Sequence, residues 1–252
     1  MTATIIATPR LDPGNFIGRP RSAAREAAFF ARLTLGLALF ILFAFAQFGV
    51  RGMVDYARVP WFVHAHAAAM TGWLALLVVQ SRLSAAGDFD RHRQLGMASV
   101  GLLLVIAKLA SMACLGAVRS GTVPPFFTPA YFLALVHVEI VALLAMIGWA
   151  VAMRRKANWH RRLMIGSMVL IMEPALGRLL PMPLLGGWGE WVSLAFQLGA
   201  LAVLAAHDLR VLGRVHRATL ASAALVTATH VLVSMLAVAA PMVALAARVA
   251  TA

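Results

Sequence analysis

Seven apolar runs, each near the length of a membrane-crossing helix, constrain this chain more than any other feature. They cover approximately Ala28–Val50, Trp61–Leu83, Gly96–Val118, Thr128–Met153, Leu163–Leu185, Trp191–Ala206 and Ala218–Ala246. A helix needs roughly 20 apolar residues to cross a hydrocarbon core ~30 Å thick. The runs are continuous rather than alternating, which argues against a β-barrel. Prolines and glycines punctuate the connections, and no loop is long enough for a soluble domain. The sequence therefore predicts an all-α, polytopic transmembrane bundle. A polar cytoplasmic N-terminal arm at 1–27 precedes a single seven-helix membrane domain at 28–252.

Composition supports this class. Hydrophobic residues make up 62% of the chain and charged residues 12%, whereas soluble domains are about half apolar and about a quarter charged. The net charge of +13 does not predict a nucleic-acid partner, because the charges are too few for a basic face and no nucleic-acid motif is present. Their distribution instead predicts an orientation. With the N-terminus inside, sixteen of the 22 Lys and Arg residues fall on the inner side and five on the outer side. The remaining one, Lys108, lies deep within the third run. This bias predicts N-inside, C-outside in a bacterial inner membrane, with basic loops against anionic lipid. The single cysteine, Cys114, lies in an apolar run and excludes a disulfide scaffold.

The inner loops repeat a pattern. His92-Arg93-Gln94-Leu95 precedes the third run, His160-Arg161-Arg162-Leu163 the fifth, and His216-Arg217 the seventh. Phe62-Val63-His64-Ala65-His66 resembles Leu135-Val136-His137-Val138-Glu139, and each is followed by a Gly-Trp pair. Runs two–three and four–five read as a diverged duplicated hairpin, with six–seven a fainter copy. Functional sites often lie where such repeats face each other.

Histidine placement gives the first site hypothesis. His64 and His66 lie in the outer part of run two and His137 in the outer half of run four. His92 and His160 lie at the inner starts of runs three and five. Two stacked b-type haems would need this alternation, each iron taking two imidazoles from facing helices. His64 and His66 are both candidates for one of these positions. The alternative is interhelical hydrogen bonding without cofactor. No P-loop, GxSxG, HExxH or CxxC is present, so haem iron is the only metal the sequence suggests.

In topology and histidine placement, His64 to Glu173 resembles the di-haem transmembrane cytochrome b family, which includes ascorbate-dependent ferric reductases. That resemblance implies one haem held by helices two and four and another by helices three and five. The chain is also similar to bacterial multi-pass proteins with a His-Arg-x-Leu-Gly loop, here His92–Gly96; that likeness implies no activity.

Midplane charges give the second hypothesis. Lys108 lies about 18 Å into run three and Glu173 about 16 Å into run five, counted from inside. Glu139 and His230 fall near the same depth, and Gln80 and Gln197 add polar groups. Charges there should face inward and find partners. Lys108 and Glu173 either pair structurally or, with Glu139, manage protons or haem propionates. Pro174 is positioned to kink the fifth helix. The preferred reading is an electron-transfer protein with haem b, exchanging electrons with quinone or another small redox partner. The competing readings are a haem-free proton-coupled transporter or channel and an accessory or assembly subunit without chemistry of its own.

Overall fold

The computed structural model describes residues 21–252, with side chains from residue 24 onward. Residues 1–20, most of the expected arm, lie outside the described residues. All described secondary structure is helical: α1 (Arg21–Val50), α2 (Trp61–Ala86), α3 (Phe89–Arg119), α4 (Pro129–Ala152), α5 (Ala157–Leu170), α6 (Glu173–Leu179), α7 (Met182–Leu185), α8 (Gly189–Leu212), α9 (Arg217–Ala237) and α10 (Ala240–Ala250). Among the described residues, six helices are long and apolar enough to cross a membrane. The protein is a multi-pass helical membrane protein.

Two of the seven apolar runs are not single helices. The fifth breaks at Ile171–Met172, between α5 and α6. Pro174 explains the break, because it has no N–H for the Leu170 carbonyl and its ring crowds that carbonyl. The seventh ends at Ala237, and Pro241 starts α10 as a separate helix. The sixth is longer than expected, with α8 continuing to Leu212.

The broken helix is central. α5 packs against α1, α4, α8 and α9, and every residue from Arg162 to Leu170 except Met164 is buried. Gly166 permits the close approach: an added Cβ would lie 2.7 Å from Cβ of Ser222 on α9 and 2.8 Å from Sδ of Met146 on α4. Small residues serve this purpose in membranes, where helix association relies on close packing. The main core gathers Trp73, Leu74, Met146, Met168, Leu176 and Leu204 around it. α10 packs on α3 and α4, where Ala246 meets Cys114, Val118, Ala130 and Leu133.

The expected repeat has a local counterpart. In the α2–α3 hairpin, Nδ1 of His92 donates to the Gln80 carbonyl at 3.2 Å, and Nε2 of Gln80 donates to the His92 carbonyl at 3.0 Å. In the α4–α5 hairpin, Nδ1 of His160 donates to the Ala150 carbonyl at 2.8 Å. Each loop histidine thus fastens the start of one helix to the end of the preceding one. His216 differs: its Nδ1 accepts from the Ala218 N–H at 3.0 Å and caps α9.

Candidate functional site

The break in the fifth helix exposes backbone acceptors inside the protein, where an unpaired carbonyl is costly. Gln197 on α8 answers them. Its Nε2 donates to the Val169 carbonyl at 2.9 Å and the Leu170 carbonyl at 3.1 Å. These bonds fix the orientation of the amide and turn Oε1 towards α9. There it accepts from Nε2 of His230 at 2.6 Å.

Because His230 donates through Nε2, Nδ1 is the nitrogen that loses its proton in the neutral ring. Nδ1 faces Oε1 of Glu190 at 3.5 Å. Neither atom has a hydrogen-bond partner among the described residues. The other Glu190 oxygen accepts from the Ser234 hydroxyl at 2.7 Å. Tyr131 lies close enough to Glu190 to interact with it electrostatically. Glu173, buried at the start of α6, interacts electrostatically with His230, Arg178 and Glu190. Glu139 on α4 interacts with Glu173 and Glu190. Three carboxyl groups and one imidazole thus form an electrostatic cluster on α4, α6, α8 and α9, in which Glu190 and His230 are the pair within ion-pair distance. They do not form a metal cage: among the described residues, no three His, Cys, Asp or Glu side chains are placed to hold an ion.

Of the expected midplane residues, Glu139 and Glu173 join this cluster and Lys108 does not. Lys108 is exposed on α3 and forms no ion pair with Glu173. Depth along a helix fixes height but not direction. α3 packs on α2, α4 and α10, whereas Glu173 begins α6, which packs on α1 and α8. Arg178 is the cation whose charge reaches Glu173 without an ion-pair contact; its Nη1 donates to the Pro174 carbonyl at 2.7 Å and its guanidinium lies 4.1 Å from the Phe45 ring centre.

A second polar network ties α1, α5, α8 and α9 together. Arg162 and Asp208 are both 0% exposed. Nε and Nη2 of Arg162 donate to Oδ1 of Asp208 at 2.8 and 2.5 Å, and Nη1 donates to the Asn158 carbonyl at 3.0 Å. Oδ2 of Asp208 accepts from the Thr219 hydroxyl at 2.6 Å and the His216 N–H at 3.1 Å. Arg161 pairs with Glu26 of α1. Phe30 lies under both guanidinium groups, and Phe29 stacks on His207 with ring centres 3.6 Å apart. With every side-chain nitrogen and oxygen of the central pair engaged, this network has the character of a structural clamp.

The candidate haem ligands separate into two groups. The His92 and His160 rings lie 6.2 Å apart, centre to centre. Both donate through Nδ1 to backbone carbonyls, which leaves Nε2 of a neutral ring able to ligate a metal. The outer histidines are engaged differently. His137 donates through Nδ1 to the Leu133 carbonyl at 2.9 Å, and its Nε2 accepts from Ser111 at 3.0 Å. His66 lies towards the Ile106 backbone of α3, and its Nδ1 is buried with no hydrogen-bond partner among the described residues. His64 is exposed, with Nε2 3.3 Å from the Tyr56 carbonyl. No hydrogen bond or ring contact joins His137 to His64 or His66 among the described residues.

Glu190, Asp208 and Arg162 escaped recognition as site residues in the sequence. Glu190 stands between Trp188 and Trp191 at a run's edge and reads as interfacial; Asp208 and Arg162 stand among basic residues and read as loop surface. The chain matches no family model, no curated protein and no solved structure.

Proposed function

We propose that this protein crosses the bacterial inner membrane seven times, N-terminus inside, and moves protons through the Glu190–His230 pair as a proton-coupled transporter or channel. Contacts at the two ends of α1 support counting α5 and α6 together as one crossing. Arg161 pairs with Glu26, and Nε2 of Gln47 donates to the Arg178 carbonyl at 3.0 Å. Glu26 and Gln47 are about 31 Å apart along a helix rising ~1.5 Å per residue, the thickness of a hydrocarbon core. The basic bias supports the orientation.

One observation carries the proton reading. Nδ1 of His230 and Oε1 of Glu190 face each other with no hydrogen-bond partner among the described residues. A single proton satisfies both, residing on the ring beside a carboxylate or on the carboxyl beside a neutral ring. Histidine and carboxylate chains of this kind make membrane proton relays. Glu173 and Glu139 extend the acidic cluster, and the neighbouring broken helix is a form found at transporter binding sites.

Electron transfer with quinone or another small redox partner is a second reading, favoured by the free Nε2 atoms of His92 and His160. Those two side chains would hold a b-type haem, which would supply one-electron chemistry.

Reconstitution tests the first reading. Vesicles carrying the protein and an internal pH dye should conduct protons under an imposed potential faster than empty vesicles. Glu190→Gln and His230→Phe should abolish the difference. A wild-type rate equal to that of Glu190→Gln would overturn it. The absorption spectrum of the same preparation decides the second: a Soret band lost in His160→Ala supports haem, and a colourless preparation from haem-replete cells ends that reading.

A further inference from the structure

The outward face of α3 carries a charge that nothing among the described residues answers. Met97, Val100, Gly101, Leu104, Val105 and Lys108 recur at helical spacing and are all exposed. Such a stripe is ordinary lipid-facing surface until Lys108. Along α3, Arg93 lies about 22 Å to one side of Lys108 and Arg119 about 16 Å to the other. A lysine stem spans little more than one helical turn, so the ammonium group cannot snorkel to either interface. A charge presented to lipid at that depth is strongly unfavourable.

The chain's own acids do not relieve it. Glu173 is buried, the Glu190 carboxylate is engaged by Ser234 and His230, and none of Glu139, Glu173 and Glu190 forms an ion pair with Lys108. A symmetric contact between two copies through this face would set one Lys108 against the other at the same depth. The missing group must therefore come from a different molecule. Gly101 lies two turns away on the same face, and a Cβ there would meet nothing within 4 Å. That leaves room for another helix backbone to approach closely.

We propose that this face of α3 binds a transmembrane helix of a second protein, which presents an aspartate or glutamate to Lys108. The ion pair would be formed across the interface, with the partner's backbone passing near Gly101.

A defined probe tests this without knowledge of the partner. The full-length protein is labelled with a donor fluorophore and reconstituted into phosphatidylcholine vesicles. Leucine-rich transmembrane peptides carrying an acceptor are added, one with a central aspartate and one entirely apolar. Energy transfer should report association roughly tenfold tighter for the aspartate peptide, the scale of an interhelical polar contact. Lys108→Met should erase the preference and Lys108→Arg should keep it. Equal association of the two peptides with the wild-type protein overturns the proposal, as does a preference that survives Lys108→Met. Self-association of the wild-type protein that Lys108→Met abolishes also overturns it, because the occupant would then be a second copy. Lys108 is exposed, so a melting temperature unchanged in Lys108→Met identifies the loss as one of binding.

Discussion

Gln197 holds His230 at 2.6 Å with its oxygen while its nitrogen closes the gap that Pro174 opens in the fifth helix. One side chain therefore serves both backbone integrity and the orientation of the imidazole.

That double duty predicts a compensating pair of substitutions. Gln197→Leu leaves the Leu170 carbonyl and Nε2 of His230 unpaired, at about 1–3 kcal/mol for each buried group. Pro174→Ala returns an N–H to the Leu170 carbonyl. The double mutant should lose less stability than the sum of the single losses, measured by denaturant unfolding in detergent. Strict additivity would show that the break and Gln197 are energetically independent.

The Arg162–Asp208 pair predicts a different pattern. Arg162→Met should cost about 3–5 kcal/mol, because it abandons a buried carboxylate. Asp208→Leu should cost at least as much, since the Thr219 hydroxyl and the His216 N–H lose their acceptor too. Arg162→Met with Asp208→Leu should recover part of the loss and not all of it. Full recovery would mean that the Thr219 and His216 bonds contribute nothing. Thermal unfolding of the four proteins measures this.

His216 predicts a pH dependence. Burial and the nearby Arg162 charge lower its pKa below the ordinary 6.5, so the folded protein favours the neutral ring. Its Nδ1 then accepts from the Ala218 N–H, a bond that protonation removes. The unfolded chain binds the proton more readily, so this contribution is complete above about pH 6.5 and declines as pH falls below it. His216→Asn keeps a capping side chain without the titration. Its melting temperature should fall less between pH 7 and pH 5 than that of the wild-type protein. Parallel curves would remove His216 from the acid response.

The basic bias predicts topology. Reporter fusions at Arg91, Lys156 and Arg214 should be cytoplasmic, and fusions at Gly121 and Gly186 periplasmic. A periplasmic signal at Lys156 would refute the orientation, and matching signals at Lys156 and Gly186 would refute α5–α6 as a crossing.

Helical class was legible because bilayer thickness imposes a length on every apolar run. Helix breaks were partly legible: Pro174 marks one through its missing N–H, whereas Pro241 lies inside a run that hydropathy alone reads as unbroken. The site was legible only in one dimension. Counting residues placed Lys108 and Glu173 at similar depth, yet they face different neighbours, because azimuth depends on which helices pack together. Glu190 was hidden for the converse reason. Its position at a run's edge says nothing of the turn at Gly186–Trp188 that brings it towards His230. Gln197 showed only as a polar residue; its meaning requires knowing where the fifth helix breaks.

Mechanically, α5 and α6 form two short rods with a joint at Ile171–Met172. The lower rod is clamped along nearly its whole length. The upper is tied at its far end to α1, through Gln47 and the aromatic rings beneath Arg178. Pro174 has no intrahelical bond to lose, so bending at the joint leaves the ladders of both rods intact. The strain of such a bend would fall on the bond from the Met172 N–H to the Val169 carbonyl, which bridges the joint, and on the Gln197 amide, and through the amide oxygen on the tilt of the His230 ring.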